Sequence, residues 1–313
     1  MTKWYKQEKL RLRRKAQRAK LGLLRDLVIK PVTRRRYGAM VSRFFRWRKE
    51  KRLGAIRSER EMDRECARFL GYLWEEGEPK QKGADFVSGV QHYCEGLRKR
   101  LPRTWRWYGA WNRYEKGDHA PPMERRVALA VADIFWRWGY PRTAVLVLVF
   151  QHGYLRTGEA LGLRMRDVVI SPEGTGILNL GVTKGRRVEM VTLDDGPLGR
   201  LLVEVTEGLG LGELVSEMGM VEFRWRFKAA VRKLGLKRIG YKPYSLRRGG
   251  ATEDFKEHGR FDRAMLRGRW RSVAAARVYI LEGLAAYTKL RRSPEEEEEV
   301  LARGARMCRR MGC

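Results

Sequence analysis

Three separated segments of the chain hold residue types that together could act on a phosphodiester. The transition state of that reaction carries extra negative charge on its non-bridging oxygens, and each arginine can direct two N–H donors at such oxygens. The reaction also needs a nucleophile and an acid that protonates the departing sugar oxygen. The three segments are 153-GYLRTGEALGLRMRDVVI-170, 243-PYSLRRGGAT-252 and 268-GRWRSVAAARVYILEG-283.

These segments supply arginines, carboxylates and aromatic side chains at regular spacings. The candidates are Arg156, Glu159 and Asp167 in the first segment, Tyr244, Arg247 and Arg248 in the second, and Trp270 and Tyr279 in the third. A Lys-Gly-Arg turn between the first two segments adds Lys184, beside Arg186 and Arg187. Of these three we favour Lys184 as the acid, because an arginine rarely loses its proton.

The composition points to nucleic acid as the partner. The 313 residues include 68 Lys and Arg against 37 Asp and Glu, a net charge of +31 that would self-repel without a polyanion. The longest apolar run, 144-AVLVLVF-150, is far short of the roughly 20 residues that span a bilayer, and the N-terminus lacks a signal-peptide core. We expect an intracellular protein that acts with nucleic acid, in the nucleus if the host is eukaryotic and otherwise in the cytoplasm or nucleoid, with no membrane contact and no small-molecule substrate.

The sequence predicts neither a metal site nor a cofactor. The cysteines at 66, 94, 308 and 313 form no CxxC pair, and the four histidines lie far apart. There is no Walker-type GxxxxGK[ST] motif and no GxGxxG motif. The chemistry is therefore expected to come from side chains alone.

The first 118 residues predict a basic arm followed by a helical bundle. Residues 1–60 carry 22 Lys and Arg against 4 Asp and Glu. We interpret residues 1–20 as a solvated, partly disordered arm that contacts phosphates. Residues 21–118 predict a helical, DNA-binding domain with one basic side. Its tryptophans are expected in the core rather than as platforms for base stacking.

Apolar periodicity and capping signals place the bundle's helices. Apolar residues recur with a helical period from Thr33 onward, and Ser58 with Glu61 predicts a capping box for the next helix. Two further helices are expected near 84–99 and 104–117.

A second domain is predicted over residues 119–292. The boundary falls in 116-KGDHAPPMERR-126, where Gly, Asp and two prolines interrupt the pattern. Two helices follow, at about 122–138 and 142–152. Alternating apolar residues over 176–193 predict a β-hairpin. The fold class is therefore mainly α (α+β), with a small hairpin or sheet in the second domain.

The three segments resemble, in order, the motif boxes of the tyrosine recombinase, or phage-integrase, family. Arg156, Glu159, Leu163 and Asp167 keep the spacing of the family's first box, and Lys184 matches the lysine of its β-hairpin. The second box, H-x-L-R-[HR], is matched by 244-YSLRR-248. The third box, L-G-[HW] followed nine residues later by tyrosine, is matched by 266-LRGRW-270 and Tyr279, with one residue inserted before the Trp.

The resemblance implies a role for each matched residue. Tyr279 would attack the phosphate and form a 3′-phosphotyrosyl link, with Arg156 and Arg247 on the non-bridging oxygens. Lys184 would protonate the leaving 5′ oxygen, and Trp270 would donate its indole N–H to the phosphate or support the pocket. Glu159, Asp167 and Arg248 would be supporting residues, and neither ATP nor metal would be required. Tyr287 competes with Tyr279, but the spacing from Trp270 favours Tyr279.

Two departures from the family pattern leave alternatives open. Tyr244 replaces the usual histidine of the second box, and a phenol is a poor base at neutral pH. The first box is one residue longer before its arginine. The interpretation is a site-specific recombinase or integrase, with 244-YSLRRGGAT-252 also resembling integrases of some eukaryotic mobile elements. A type IB topoisomerase-like enzyme and a catalytically degraded DNA-binding remnant of a mobile element are the alternatives.

The last 21 residues predict a C-terminal helix. Ser293 is its N-cap and Pro294 its first residue, and acids fill its first turn while arginines fill the last. The family resemblance implies that this helix, 293–313, docks on a neighbouring protomer, so that a dimer or tetramer forms on double-stranded DNA.

Overall fold

The protein divides into two compact units, Met1–Asp118 and His119–Cys313. The computed structural model describes residues 3–115, 117, 119–182 and 188–313. Across these residues the chain is mainly helical, with one three-stranded antiparallel sheet. The predicted fold class is confirmed, whereas the four-part domain scheme stays a prediction.

The N-terminal unit is a helical bundle around aromatic side chains. Its α-helices are α1 Lys3–Ala19, α2 Pro31–Glu50, α3 Glu59–Glu75, α4 Lys80–Tyr93 and α5 Pro102–Tyr114. Phe44, Phe69 and Phe86 are fully buried at its centre, and the rings of Phe69 and Phe86 meet edge to face at 4.7 Å. Ser58 caps α3 by accepting a hydrogen bond from the backbone N–H of Glu61.

Two expectations for this unit are wrong. The basic arm forms helix α1, because Lys, Arg, Gln, Leu and Ala favour helix and no Gly or Pro interrupts them. The tryptophans are only partly in the core: Trp47 and Trp111 are buried, but three others are 43–49% exposed. In α5 the buried face carries Thr104 and Trp111, seven residues apart, and the exposed tryptophans at 105 and 107 lie off that face.

The C-terminal unit contains the sheet and the remaining helices. The helices are α6 Arg125–Arg137, α7 Pro141–His152, α8 Thr157–Ala160, α9 Gly196–Val205, α10 Met220–Lys233, α11 Tyr244–His258, α12 Phe261–Gly268, α13 Val273–Arg277, α14 Glu282–Leu290 and α15 Pro294–Met311. Helix α7 is buried over most of its length, as its continuous apolar run indicates.

The predicted hairpin is present, and it carries an additional strand. The strands β1 Val168–Ile170, β2 Gly176–Val182 and β3 Val188–Leu193 pair in the order β1-β2-β3, with Leu178 opposite both Val168 and Val191. Strand β1 was not predicted because three residues are too few to show an alternating pattern. The hairpin turn, with Lys184, Arg186 and Arg187, lies outside the described residues.

Helix α11 lies against neighbouring backbone because two glycines follow its arginines. A Cβ atom on Gly249 would lie 1.8 Å from the carbonyl oxygen of Met123, and one on Gly250 would lie 2.0 Å from that of Gln151. Any larger residue would therefore push α11 away from α7. The pattern 247-RRGG-250 holds both arginines against the core.

Helix α15 packs along α6 of the same chain, and Val300, Met307 and Met311 are buried there. Ser293 and Glu296 form a complete capping box at its start. In the described chain α6 covers these three residues, and the docking of this helix on a neighbouring protomer, which the family resemblance implies, stays a prediction. A dimer or tetramer on DNA stays a prediction.

Candidate active site

Four stretches of the C-terminal unit bring the predicted site residues together. Helix α11 carries three of them in its first turns, the turn between α7 and α8 carries one, the turn after α12 carries one, and the turn between α13 and α14 carries the tyrosine. In that order they are Tyr244, Arg247, Arg248, Arg156, Trp270 and Tyr279.

Arg247 is a fully buried cation that pairs with no carboxylate of the described chain. Its guanidinium donates hydrogen bonds to the carbonyl oxygens of Tyr154 and Gly268, the latter at 2.8 Å, and its Nε has no partner. Burial, reinforced by the charges of Arg269 and Arg156, lowers the pKa of Arg247 to about 10. The group stays charged at neutral pH with its charge uncompensated, which favours the binding of an anion.

Two aromatic rings lie beside the Arg247 guanidinium. Its central carbon lies 5.1 Å from the ring centroids of both Trp270 and Tyr279, within the range of cation–π attraction. The two rings stack with centroids 4.5 Å apart, and the buried indole N–H of Trp270 has no partner in the described part of the chain. The hydroxyl of Thr252 donates to the Tyr279 carbonyl at 3.2 Å, which holds this turn to α11.

Tyr244 and Tyr279 form a phenol pair, with their hydroxyl oxygens 2.5 Å apart. Burial raises the pKa of Tyr244 to about 12, and the hydrogen bond with Tyr279 acts in the same direction. Burial also acts to raise the pKa of Tyr279, but the hydrogen bond from Tyr244 and the charge of Arg247 outweigh it, so this pKa is lowered. These opposite shifts favour Tyr279 as the phenol that ionises first, with Tyr244 donating to it.

Arg156 is held at the N-terminus of α8 by Glu159. The Glu159 carboxylate accepts from the Arg156 side chain at 2.5 Å and from its backbone N–H at 2.7 Å. Burial acts to lower the pKa of Arg156, but the hydrogen bond and charge of Glu159 outweigh it and the pKa is raised. The side chain remains 31% exposed, so part of the guanidinium is free to meet a ligand.

Arg248 also lies close to the phenol pair. It donates to the carbonyl oxygen of Ala120 at 3.2 Å, and its Nη2 lies 3.1 Å from Nδ1 of His119. Its guanidinium carbon is 5.8 Å from the Tyr279 ring centroid. Burial lowers the pKa of Arg248, and no carboxylate of the described residues forms an ion pair with it.

Two residues of the predicted site are not part of this cluster as described. Asp167 ends a short 3-10 turn, where its carboxylate accepts from the backbone N–H of Arg164 at 3.1 Å, so it shapes the turn into β1. Lys184 lies outside the described residues.

The sequence reasoning missed Arg269 and Glu189. Arg269 is 7% exposed and forms ion pairs with Glu159 at 2.8 Å and with Glu189 of β3 at 3.0 Å. The one signal was the residue inserted before Trp270, which is Arg269 itself.

His152 is near Arg156 in sequence but is engaged elsewhere. Its Nε2 lies 2.6 Å from Asp194 and 2.5 Å from the guanidinium of Arg267. Burial and the Arg267 charge lower the pKa of His152 to about 4, so it is neutral near pH 7. It therefore does not replace the missing histidine of the second box.

Among the described residues, no group of three or more His, Cys, Asp or Glu side chains is placed to hold a metal ion. No helix within the same residues combines the length and apolarity needed to cross a membrane.

The structure is similar to solved structures of site-specific recombinases. The XerA recombinase is 15% identical, with a TM-score of 0.43 over 82% of this chain and 99% of that chain. The XerH recombinase in a post-cleavage complex with palindromic difH substrate is 13% identical, with a TM-score of 0.44 over 84% and 96%. XerH in a pre-cleavage complex with difH substrate is 15% identical, with a TM-score of 0.42 over 66% and 69%.

No protein-family model and no curated protein sequence matches the chain.

Proposed function

We propose that this protein is a site-specific DNA recombinase that cleaves and rejoins DNA through a 3′-phosphotyrosyl intermediate at Tyr279. The observation that carries the proposal is the buried Arg247, whose charge has no carboxylate partner in the described chain, 5.1 Å from the Tyr279 ring. A buried cation is costly unless something compensates it. A scissile phosphate would compensate it and place the phosphorus beside a tyrosine.

The cleavage step is a transesterification. The Tyr279 oxygen attacks the phosphorus, an O–P bond forms, and the bond from phosphorus to the 5′ oxygen breaks. Arg247 and Arg156 stabilise the non-bridging oxygens, and the free indole N–H of Trp270 supplies one more donor. A 5′ hydroxyl of another strand reverses the step, so the phosphodiester energy is retained in the tyrosyl link.

The phenol pair favours loss of the proton from the Tyr279 hydroxyl, which is the nucleophile. Tyr244 donates to Tyr279, which stabilises the phenolate that attacks. The proton of Tyr279 is released to solvent, and the leaving 5′ oxygen takes a proton from an acid, for which we propose Lys184. Arg248, which lies close to both rings, balances negative charge on the pair.

A basic cleft leads to the phenol pair and is suited to a DNA backbone. Helix α10 presents Arg224, Lys228 and Arg232 at four-residue intervals, all exposed, and no described carboxylate forms an ion pair with any of them. They line a cleft of about 550 Å³ that ends at Thr157 and Tyr244. Free cations along a groove are the feature that binds phosphates without sequence preference.

The decisive experiment traps the covalent intermediate. A pool of nicked duplexes, from which the 5′ hydroxyl diffuses away after cleavage, is incubated with the protein in EDTA. We expect a denaturation-resistant adduct with wild type and with Tyr287→Phe, and none with Tyr279→Phe. Tyr287 is the matched control because it is 55% exposed on α14. An adduct that persists in Tyr279→Phe would refute the assignment.

Further outcomes separate the alternatives. Joining of the cleaved strand to a second duplex identifies a recombinase, whereas supercoil relaxation without joining identifies a topoisomerase-like enzyme. Salt-sensitive DNA binding without any adduct, unrescued by Tyr244→His, would indicate a degraded DNA-binding remnant.

A further inference from the structure

Arg269 adopts a backbone conformation that arginine rarely takes. It follows the last residue of α12 with a φ of +58°, in the left-handed region. Its side chain is only 7% exposed. Both features cost free energy, and such conformations persist where the surrounding contacts require them.

The Arg269 guanidinium joins two carboxylates from different elements. Its Nη2 donates to Oε2 of Glu159 at 2.8 Å, and its Nε lies 3.0 Å from Oε2 of Glu189 on β3. Nη1 and Nη2 also donate to the carbonyl oxygens of Gly153 and Tyr154, at 3.2 and 3.3 Å. The Nη2 contact ties Glu159 to the turn that follows α12.

Glu159 is the residue through which Arg269 reaches the pocket. Its Oε2 is shared by Arg269 and the backbone N–H of Arg156, while its Oε1 accepts from the Arg156 guanidinium. Both Arg156 contacts are local, because the two residues are three apart in the chain, so they do not fix the carboxylate relative to the rest of the unit. Arg269 donates a hydrogen bond to Glu159 from another element, so the direction of the Arg156 guanidinium depends on it.

We propose that Arg269 is a positioning residue that holds Glu159, and through Glu159 aims Arg156 into the site beside Tyr279, with Glu189 as its anchor on β3. The role of Arg156 in cleavage rests on the proposed function. The orienting of Arg156 by Arg269 is independent of that function. Lysine cannot substitute fully, because a single ammonium cannot fork between two carboxylates.

One test uses the reaction itself. Single-turnover adduct formation is measured for wild type, Arg269→Gln and Arg269→Lys, on a phosphate and on a neutral methylphosphonate at the scissile position. We expect Arg269→Gln to slow cleavage of the phosphate by about 100-fold, the loss typical of a misplaced catalytic group, and Arg269→Lys by about 10-fold. The methylphosphonate has less negative charge to stabilise, so on this substrate both variants should lose less of the wild-type cleavage rate.

The matched control is Arg303→Gln. Arg303 is 11% exposed and paired with Asp133 and Glu299 in the same unit, away from Tyr279. Its replacement removes a buried, ion-paired arginine and should leave the cleavage rate on both substrates close to wild type. Equal losses on both substrates for Arg269→Gln would mean that Arg269 only supports the fold, and would overturn the proposal.

A second test does not depend on catalysis. The free protein is treated with phenylglyoxal, and the modification rate of Arg156 is measured by mass spectrometry. We expect Arg156 to react several-fold faster in Arg269→Gln, less so in Glu189→Gln, and unchanged in Arg303→Gln. An unchanged rate in Arg269→Gln would refute the positioning role even if the adduct forms. A faster rate without any adduct from wild type would support it while the proposed function fails.

Discussion

Two groups of buried arginines in the C-terminal unit differ in what neutralises them. Around Tyr279, Arg247 and Arg248 bond to carbonyl oxygens and a histidine, and burial lowers the pKa of both. Beneath helix α15, Arg292 pairs with Glu124 at 2.8 Å and with Glu297 at 2.7 Å. Burial acts to lower the pKa of Arg292 as well, but Glu124 outweighs it and the pKa is raised.

The presence or absence of a carboxylate partner separates arginines that stabilise the fold from arginines that are available to bind an anionic ligand. An ion pair completed inside the chain joins two elements and leaves no charge to be satisfied. An arginine buried without a carboxylate keeps its desolvation cost until an anion arrives. The two groups should therefore respond in opposite ways to the same substitution.

The largest effect on the rate of cleavage is expected from Arg247→Gln. Loss of one preorganised donor to the transition state should reduce the rate of adduct formation by about 1,000-fold. The free energy of unfolding should change by no more than about 1 kcal/mol, because the removal of an uncompensated charge offsets two lost hydrogen bonds. Single-turnover kinetics and urea unfolding measure the two quantities.

Arg292→Gln is the matched substitution in the other group. Its effects should be the reverse of those of Arg247→Gln. The free energy of unfolding should fall clearly, and the cleavage rate should stay near that of wild type. A comparable loss of cleavage in both variants would remove the distinction between the two groups.

The next effect is on stability, from Asp133→Asn. Asp133 is fully buried in α6, and its Oδ2 lies 3.2 Å from Arg303 and 3.4 Å from Arg306 of α15. Removal of the charge leaves these arginines facing a neutral amide, and we expect the free energy of unfolding to fall by about 2–3 kcal/mol. Calorimetry or urea unfolding measures it.

Glu299→Gln is the control for that prediction. Glu299 pairs with the same Arg303 but is 41% exposed, and such pairs contribute at most about 0.5 kcal/mol. Equal losses of unfolding free energy in Asp133→Asn and Glu299→Gln would show that burial does not decide how strongly these ion pairs stabilise the protein.

Local patterns of the sequence predicted most of the elements. The apolar period located α6 and α7, alternation located the hairpin, and Ser293 with Pro294 located the start of α15. Each of these signals acts over a few residues, within reach of a periodicity argument.

Contacts between distant residues could not be predicted. The spacing of Arg269, Glu159 and Glu189 along the chain gives no sign that one guanidinium joins both carboxylates. The capping signals of α15 marked where this helix begins, but not that its buried residues would pack on α6. Motif order placed six site residues in one set, and their roles stay a proposal.

A smaller effect, on the pH dependence of cleavage, is expected from Tyr244→Phe. The pKa of Tyr279 is lowered with the help of the Tyr244 hydroxyl, so its removal should raise that pKa and leave less phenolate. Adduct formation should slow about 10-fold near pH 7, with the deficit narrowing toward pH 10 or so as both proteins ionise. A pH–rate profile checks this, and parallel profiles would exclude an effect through the pKa of Tyr279.

The smallest effect is expected on DNA binding. It tests whether, on one exposed helix, a cation without an ion pair contributes more to DNA binding than a cation that is paired. Lys228 of α10 forms no ion pair with the described residues, whereas Arg226 pairs with Glu222 at 2.8 Å and lies over the Tyr140 ring. If Lys228 contacts a phosphate, Lys228→Gln should make the slope of log affinity against log salt shallower by about 1 and weaken DNA binding a few-fold. Arg226→Gln should leave the slope unchanged, because its charge is already neutralised within the chain. Fluorescence anisotropy across a salt series gives both slopes, and equal shifts would show that ion pairing inside the chain does not select the cations that meet DNA.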